Sequence, residues 1–359
     1  MGNRQIIISI FANLQEKSYF CTKIEELKRK IYYLLHSGKN SHVTYYLKAY
    51  IRQTVPAVFY RMRLNRELKK INRYPDKEAI LQRVDYYCKL TPDTPIDHSL
   101  WQQTAISIKD QPKMHKKKMY YIDIMETARY FNPALRWVYR WGDITDLQPL
   151  PSLVKSRPLG ENNQNSTLLK LIKVRHFLFF NDQKPWREKR DIAIFRGDLG
   201  DQKYNREVFM KRWFGHPMID AAATNAFPSH PEWTKPKLTI GEHLNYKFVM
   251  SLEGNDVASN LKWVMSSNSI AVMPKPTCET WFMEGTLIPN YHYIAVKDDF
   301  SDLVERLQFY IDHPEEAEAI IQHAHNYVAP FKDRKREKLV SLLVLKKYLD
   351  ITNKKGLKG

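Results

Sequence analysis

Tyr246-Lys247-Phe248-Val249-Met250-Ser251-Leu252-Glu253-Gly254-Asn255-Asp256-Val257-Ala258-Ser259-Asn260-Leu261-Lys262-Trp263 is the stretch whose reading decides the fold. A run of strand length, Tyr246 to Leu252, stops at Glu253-Gly254. Small polar residues follow, and an apolar pattern predicts a helix from about Val257 to Met265. In an open parallel sheet, ligands bind beyond the carboxyl ends of the strands. A helix start there adds free N–H groups and a dipole that attract an anion such as a diphosphate. An ordinary connection with Asn255 or Asp256 as N-cap fits the same pattern, and such turns are common.

Outward from this stretch the same alternation recurs. Asp191 to Phe195 reads as a strand ending at Arg196-Gly197, followed by a helix through Arg206 to Trp213. Ser269 to Met273 and His292 to Val296 read as further strands. Two amphipathic helices follow, Ser301 to Ile311 and Pro314 to Val328. Asp299 or Ser301 can cap the first, and Pro314 with Glu315 and Glu316 suits the first turn of the second. Strands alternating with helices predict an α/β domain on a parallel sheet. Upstream, Met119 to Ile122 reads as a strand and Arg136 to Trp141 as another, stopped by Gly142-Asp143. Thr167 to His176 reads as a helix, and Lys184-Pro185-Trp186 as a domain boundary. From Ile24 to Leu90 the pattern is helical and strongly basic, while Ile6 to Phe11 reads as a first strand or a buried helix segment. Lys354 to Gly359 reads as a frayed tail.

The 359 residues suit two domains, and 43% hydrophobic content supports real cores. A formal charge of +18 calls for an anionic partner: nucleic acid, an anionic membrane face or a phosphorylated substrate. The three cysteines, Cys21, Cys88 and Cys278, are odd in number and widely spaced, which argues against a disulfide framework and a structural zinc site. A reducing cytosol fits. No apolar run is long enough to span a bilayer, and position 6 is Ile, which rejects myristoylation at Gly2. There is no H-E-x-x-H, no Walker A loop, no G-x-S-x-G and no D-x-D pair. The basic 24–90 region reads either as solvated helix faces or as a surface for anionic lipid or a phosphorylated glycolipid. A nucleic-acid-binding protein is the rival from another class, although no recognisable nucleic-acid motif is present. A non-catalytic lipid-A-binding module is the third possibility.

Arg196 and Gly197, at the end of their strand, could meet a diphosphate, with Arg206 adding charge from the next helix. A surface ion pair is the commoner meaning of Arg206 alone. Asp143, at a strand end facing an interdomain cleft, could deprotonate an acceptor hydroxyl, and Asp146 competes for that role. Glu279 could take a ribose and Trp281 or Tyr293 could stack on a base, although such aromatics are more often core. His292 has no partner at metal-ligand spacing, and no metal site is expected.

Phe195-Arg196-Gly197, Tyr246-Lys247-Phe248, Glu253-Gly254 with Ala258 to Lys262, and Trp281 with His292-Tyr293-Ile294 closely resemble glycosyltransferase family 90. Val154 to Pro158 and Glu279 to Gly285 look most like its bacterial lipopolysaccharide branch. The resemblance covers roughly Tyr120 to Tyr348. It implies a GT-B fold, two Rossmann-like domains facing a cleft, with a mainly helical basic region at the N-terminus. On that division 1–183 is an acceptor domain, 184–330 the nucleotide-sugar domain, and 331–359 a helix and tail packing back on the first. It further implies an inverting, metal-independent enzyme with no cofactor, using a UDP-hexose as co-substrate. Asp143 matches the family's base and Arg196 its diphosphate arginine. Gly197, Arg206, Gly254, Ala258, Ser259, Asn260, Lys262 and Glu279 complete the expected donor site. Asn260 stands where many eukaryotic members carry arginine, so Lys262 or backbone N–H groups are expected to replace that grip. The implied acceptor is the heptose-containing core of lipooligosaccharide, with capsule or another surface glycan as alternative. The implied place is the bacterial cytoplasm, peripheral on the anionic inner-membrane face.

Overall fold

The computed structural model describes residues 23–113, 118–200 and 204–356. The first-strand reading of Ile6 to Phe11 lies outside them, as do Gly2 and Cys21. Five parallel strands form the main sheet, ordered Ile219–Ala223, Arg190–Gly197, Tyr246–Met250, Ile270–Met273 and Ile294–Ala295. In chain order that is 2-1-3-4-5, so the direction of winding reverses between Arg190–Gly197 and Tyr246–Met250. Side chains alternate between two faces with a period of two. Ala193, Phe195, Phe248, Met250, Ile270 and Val272 pack on one side, against Phe209, Leu303, Leu307 and Ile320 of the covering helices. Ile194, Val249, Ala271 and Met273 point the other way, into a core shared with Leu153, Val154 and Leu168 of the N-terminal half. Every residue of Tyr246–Met250 is buried, which explains a run that is apolar except for Lys247, whose ammonium pairs with Asp191.

The N-terminal half carries a three-stranded parallel sheet, Tyr139–Arg140, Ser152–Val154 and Ser166–Leu168. Ser156–Pro158 pairs antiparallel with Cys278–Thr280, so a two-stranded ribbon stitches the halves together. Helices precede this sheet: three basic ones, over 23–36, His42–Thr54 and Ala57–Leu68, then Lys77–Tyr87. The last helix, Arg334–Gly356, packs on the N-terminal elements. Its Tyr348 hydroxyl accepts from the Val138 N–H at 3.0 Å and donates to the Pro151 carbonyl at 2.9 Å.

Several local expectations are corrected. Met119 to Ile122 is part of the helix Lys118–Ala128, whose buried Tyr120, Ile124 and Ala128 recur every four residues. Arg136 to Trp141 is two short strands, Arg136–Trp137 and Tyr139–Arg140, in different sheets. Thr167 belongs to the Ser166–Leu168 strand, and only Lys173–His176 is helical. The helix expected from Val257 is a single turn, Leu261–Val264, with Asn260 as N-cap making no side-chain cap bond. Asp302, not Asp299 or Ser301, precedes the Leu303–Asp312 helix. Trp186, in the stretch read as a domain boundary, is buried against Phe248. The final helix runs to Gly356, so the tail is ordered further than expected.

Lys262 and Glu284 form a fully buried ion pair at 2.6 Å. Removing one partner leaves a buried charge uncompensated, which costs about 3–5 kcal/mol. Chemical denaturation should show a loss of that size for Lys262→Met. Lys262→Met/Glu284→Met should recover most of it, because the orphaned charge is gone.

Candidate active site

A cavity of about 620 Å³ lies at the carboxyl ends of Arg190–Gly197 and Tyr246–Met250, where the winding reverses. Its wall carries six cationic side chains, Lys39, Lys155, Arg175, Arg196, Arg206 and Lys237, against three carboxylates, Asp143, Asp198 and Asp256. An anion is therefore the favoured occupant on charge alone.

Asp143 comes from the N-terminal half and remains one-third exposed at the cavity. Gly142 before it has φ 144°, a conformation that favours glycine, and this turn aims the carboxylate. The Lys155 ammonium contacts Asp143 and stands 2.6 Å from Asp256, a residue of the loop after Tyr246–Met250. Lys155 and Asp256 are buried. One ammonium thus joins carboxylates from both halves, and Asn255 donates to Asp143 at 3.4 Å across the same gap. Burial pushes the Asp143 carboxyl up, but Lys155 and Asn255 outweigh it and hold it below the usual aspartate value. Asp143 is an anion at neutral pH. Asp146 does not line the cavity.

Arg196 is fixed from behind. Its guanidinium donates to both Asp220 carboxylate oxygens at 2.9 Å and to the Phe195 and Asp220 carbonyls at 2.8 Å, while its buried Nε has no hydrogen-bond partner among the described residues. Gly197 has no Cβ because the Phe195 ring occupies that space, 2.5 Å from where one would stand. Arg206 donates to the carbonyls of Asp198, Leu252 and Glu253 at 2.8–3.0 Å. It therefore ties together the two loops at the winding reversal.

Gly254, Ser259 and Asn260 also line the cavity, and Asn260 donates to the Met250 carbonyl at 3.0 Å. The structure does not bring the other expected donor residues there. Ala258 is buried in the core. Lys262 is bound to Glu284, and Glu279 is buried with Arg157 Nε donating to it at 2.7 Å and the Tyr86 hydroxyl beside it. Trp281 stacks on Tyr87 at 3.9 Å, and Tyr293 is fully buried, so both aromatics are core.

Other cavity residues escaped the sequence reading. Lys155 and Arg157 are the two charges of one buried run, a pattern that itself demands partners. Arg175 and Lys237 are exposed at the wall, and neither side chain has a hydrogen-bond or ion-pair partner among the described residues. The turn carrying Arg175 and His176 starts at Ile172, a β-branched residue at φ 54°. Such a conformation is strained and persists only where packing enforces it. Burial, with Lys262, Lys155 and Arg175 nearby, depresses His176 strongly. Burial also lowers His243 to about 4. Its Nδ1 donates to the Thr239 carbonyl at 2.8 Å, leaving Nε2 as an acceptor.

Sequence comparison now settles the lineage. The family described as Glycosyl transferase family 90 matches residues 171–348. A relative from Dichelobacter nodosus, O-glucosyltransferase LpsA, is 38% identical over 287 residues, covering 79% of this chain and 88% of the relative. The chain belongs to glycosyl transferase family 90. Protein O-glucosyltransferase 1 of Bos taurus is 24% identical over 273 residues, 73% of this chain and 59% of that protein. An uncharacterized protein 179R of Invertebrate iridescent virus 6 is 25% identical over 217 residues, 48% of this chain and 18% of that protein. The family 90 member described here is therefore a transferase enzyme that moves a sugar.

With Lys155 removed, only the Asn255 hydrogen bond and the Arg175 charge would oppose burial, so the Asp143 pKa would rise. Lys155→Met should move the acidic limb of kcat/KM to higher pH, whereas an unchanged limb would mean that Asp143 does not control it.

Proposed function

We propose that this glycosyltransferase is an inverting enzyme of GT-B architecture. It would move a hexose from a UDP-sugar to a sugar hydroxyl of the lipooligosaccharide core. The observation that carries the reading is Asp143, an ionised carboxylate from one half, facing an otherwise cation-rich cavity at the strand ends of the other. The name of the Dichelobacter relative favours glucose as the hexose. Residues 1–183 would hold the acceptor, 184–330 the donor, and 331–359 would brace the first half.

In a single displacement, Asp143 takes the proton of the acceptor hydroxyl as that oxygen attacks the anomeric carbon. The bond to the UDP oxygen breaks with its electron pair, leaving UDP as an anion. Arg196, fixed by Asp220, presents positive charge on that side. Arg175 and Lys237, whose side chains have no competing hydrogen bonds among the described residues, supply the adjustable grip on the diphosphate. Six wall cations support a route in which protein charge serves where a metal serves in other transferases. Gly197, Gly254, Ser259 and Asn260 shape the wall against which the donor lies. Ala258, Lys262 and Glu279 act behind that wall, by packing.

Asp143→Asn should lower kcat about 10²–10⁴-fold, the range for a lost general base. UDP affinity measured by calorimetry should stay nearly unchanged. Turnover at the wild-type rate by that variant would remove Asp143 from the mechanism. Arg175→Ala should weaken UDP binding about tenfold or more, as expected for losing hydrogen bonds from a charged group. Lys262→Met/Glu284→Met should leave that affinity intact.

A further inference from the structure

Three consecutive helices keep an apolar stripe facing solvent. On the helix over 23–36 it comprises Ile24, Leu27, Ile31, Leu34 and Leu35, spaced three and four residues apart, with Leu34 79% exposed. On His42–Thr54 it comprises Val43, Leu47, Tyr50 and Ile51, with Val43 79% exposed. On Ala57–Leu68 it comprises Val58, Phe59 and Met62, the last 76% exposed. Each helix uses other residues to hold the body. Arg29 of the first pairs with Glu242 at 2.6 Å, the Tyr45 hydroxyl of the second donates to Asp123 at 2.8 Å, and Glu67 of the third is buried. The stripes are what remains after that docking.

Charge identifies the partner. No Asp or Glu occurs from Leu27 through Arg66, a segment with nine Lys and Arg residues. Arg29 and Arg52 are engaged by Glu242 and Glu126. Lys30, Lys48, Arg61, Arg63 and Arg66 stay exposed beside the stripes. A second copy of the chain would bring the same positive charge to the contact. Glu25, paired with Lys28, and Glu26 lie exposed between Ile24 and Leu27 at the start of the first helix. From Leu27 on, apolar stripes with flanking cations and no carboxylate suit an anionic lipid surface, where apolar side chains enter the headgroup boundary and each nearby cation adds attraction. No described helix is long and apolar enough to cross a membrane, so the helices would lie on it.

We infer that the helices over 23–36, His42–Thr54 and Ala57–Leu68 form a docking face for an anionic bilayer. This face adjoins the cavity. Tyr33 of the first helix, Ser37, Lys39 and Asn40 of the connecting loop, and His42 of the second helix all line it. Docking therefore brings the cavity to headgroup depth, where the sugar of a lipid-anchored acceptor can enter. That last step rests on the transfer reading, whereas the docking itself does not.

The test is flotation of the full chain with vesicles of pure phosphatidylcholine or of equal parts phosphatidylcholine and phosphatidylglycerol. The wild type should float with the anionic vesicles only, and high salt should reduce it about tenfold. Leu34→Ser/Leu35→Ser/Leu47→Ser/Ile51→Ser should lose partitioning about tenfold or more. UDP-induced thermal stabilisation should match the wild type, because none of the four lines the cavity. Equal flotation of variant and wild type would overturn the proposal. So would wild-type protein that stays unbound while sedimenting as a dimer that the substitutions dissolve. Failure of UDP to stabilise the wild type counts against the transfer reading and leaves the flotation result standing.

Discussion

The buried ammonium of Lys155 holds Asp143 of one half and Asp256 of the other. Desolvating a lysine is unfavourable, and this one is tolerated only because two carboxylates surround it. The consequence is geometric as well as electrostatic. The loop after Tyr246–Met250 is fixed against the turn at Gly142-Asp143, so the cavity is assembled from both halves at once. The antiparallel pairing of Ser156–Pro158 with Cys278–Thr280 reinforces the same junction a few residues away. The carboxylate proposed to accept a proton is thus held by a contact that also sets the spacing of the halves.

The cations divide by what they touch. Arg206 is consumed by three backbone carbonyls at the strand ends. Arg157 and Lys262 are buried against Glu279 and Glu284. Arg196 is intermediate, clamped by Asp220 but present on the cavity wall with Nε unpaired among the described residues. Arg175, Lys237 and Lys39 combine wall position, exposure and the lack of a side-chain hydrogen-bond or ion-pair partner among the described residues, and Lys39 lies over the Tyr33 ring. Net charge of +18 therefore overstates what a ligand meets, because much of it is committed to structure.

Four of the five strands of the main sheet were legible in the sequence, the central ones because they are buried on both faces, whereas Ile219–Ala223 was not foreseen. Ile270–Met273 reads as an unbroken apolar run, and Tyr246–Met250 as one interrupted only by Lys247, for that physical reason. The family was legible from scattered short runs, and the match over residues 171–348 agrees with it. Local pattern failed where burial came from afar. Val257, Ala258 and Leu261 are buried in a loop and a single turn, and their apolar character imitated a longer helix. Glu279 resembled a ligand for ribose, yet its partner Arg157 stands 122 residues earlier in the chain. Nothing local announces such a pairing. Arg175, Lys237 and His243 reach the cavity from three separate segments, and their convergence exists only in the folded chain.

Hydrogen–deuterium exchange with and without UDP tests directly whether the cavity at the winding reversal is the donor site. UDP should slow exchange in the loops that follow the two central strands, around Phe195 to Asp198 and Leu252 to Asn260, and leave the buried Glu279 to Glu284 ribbon unchanged. Protection confined to other parts of the molecule, or none at saturating UDP, would contradict the account.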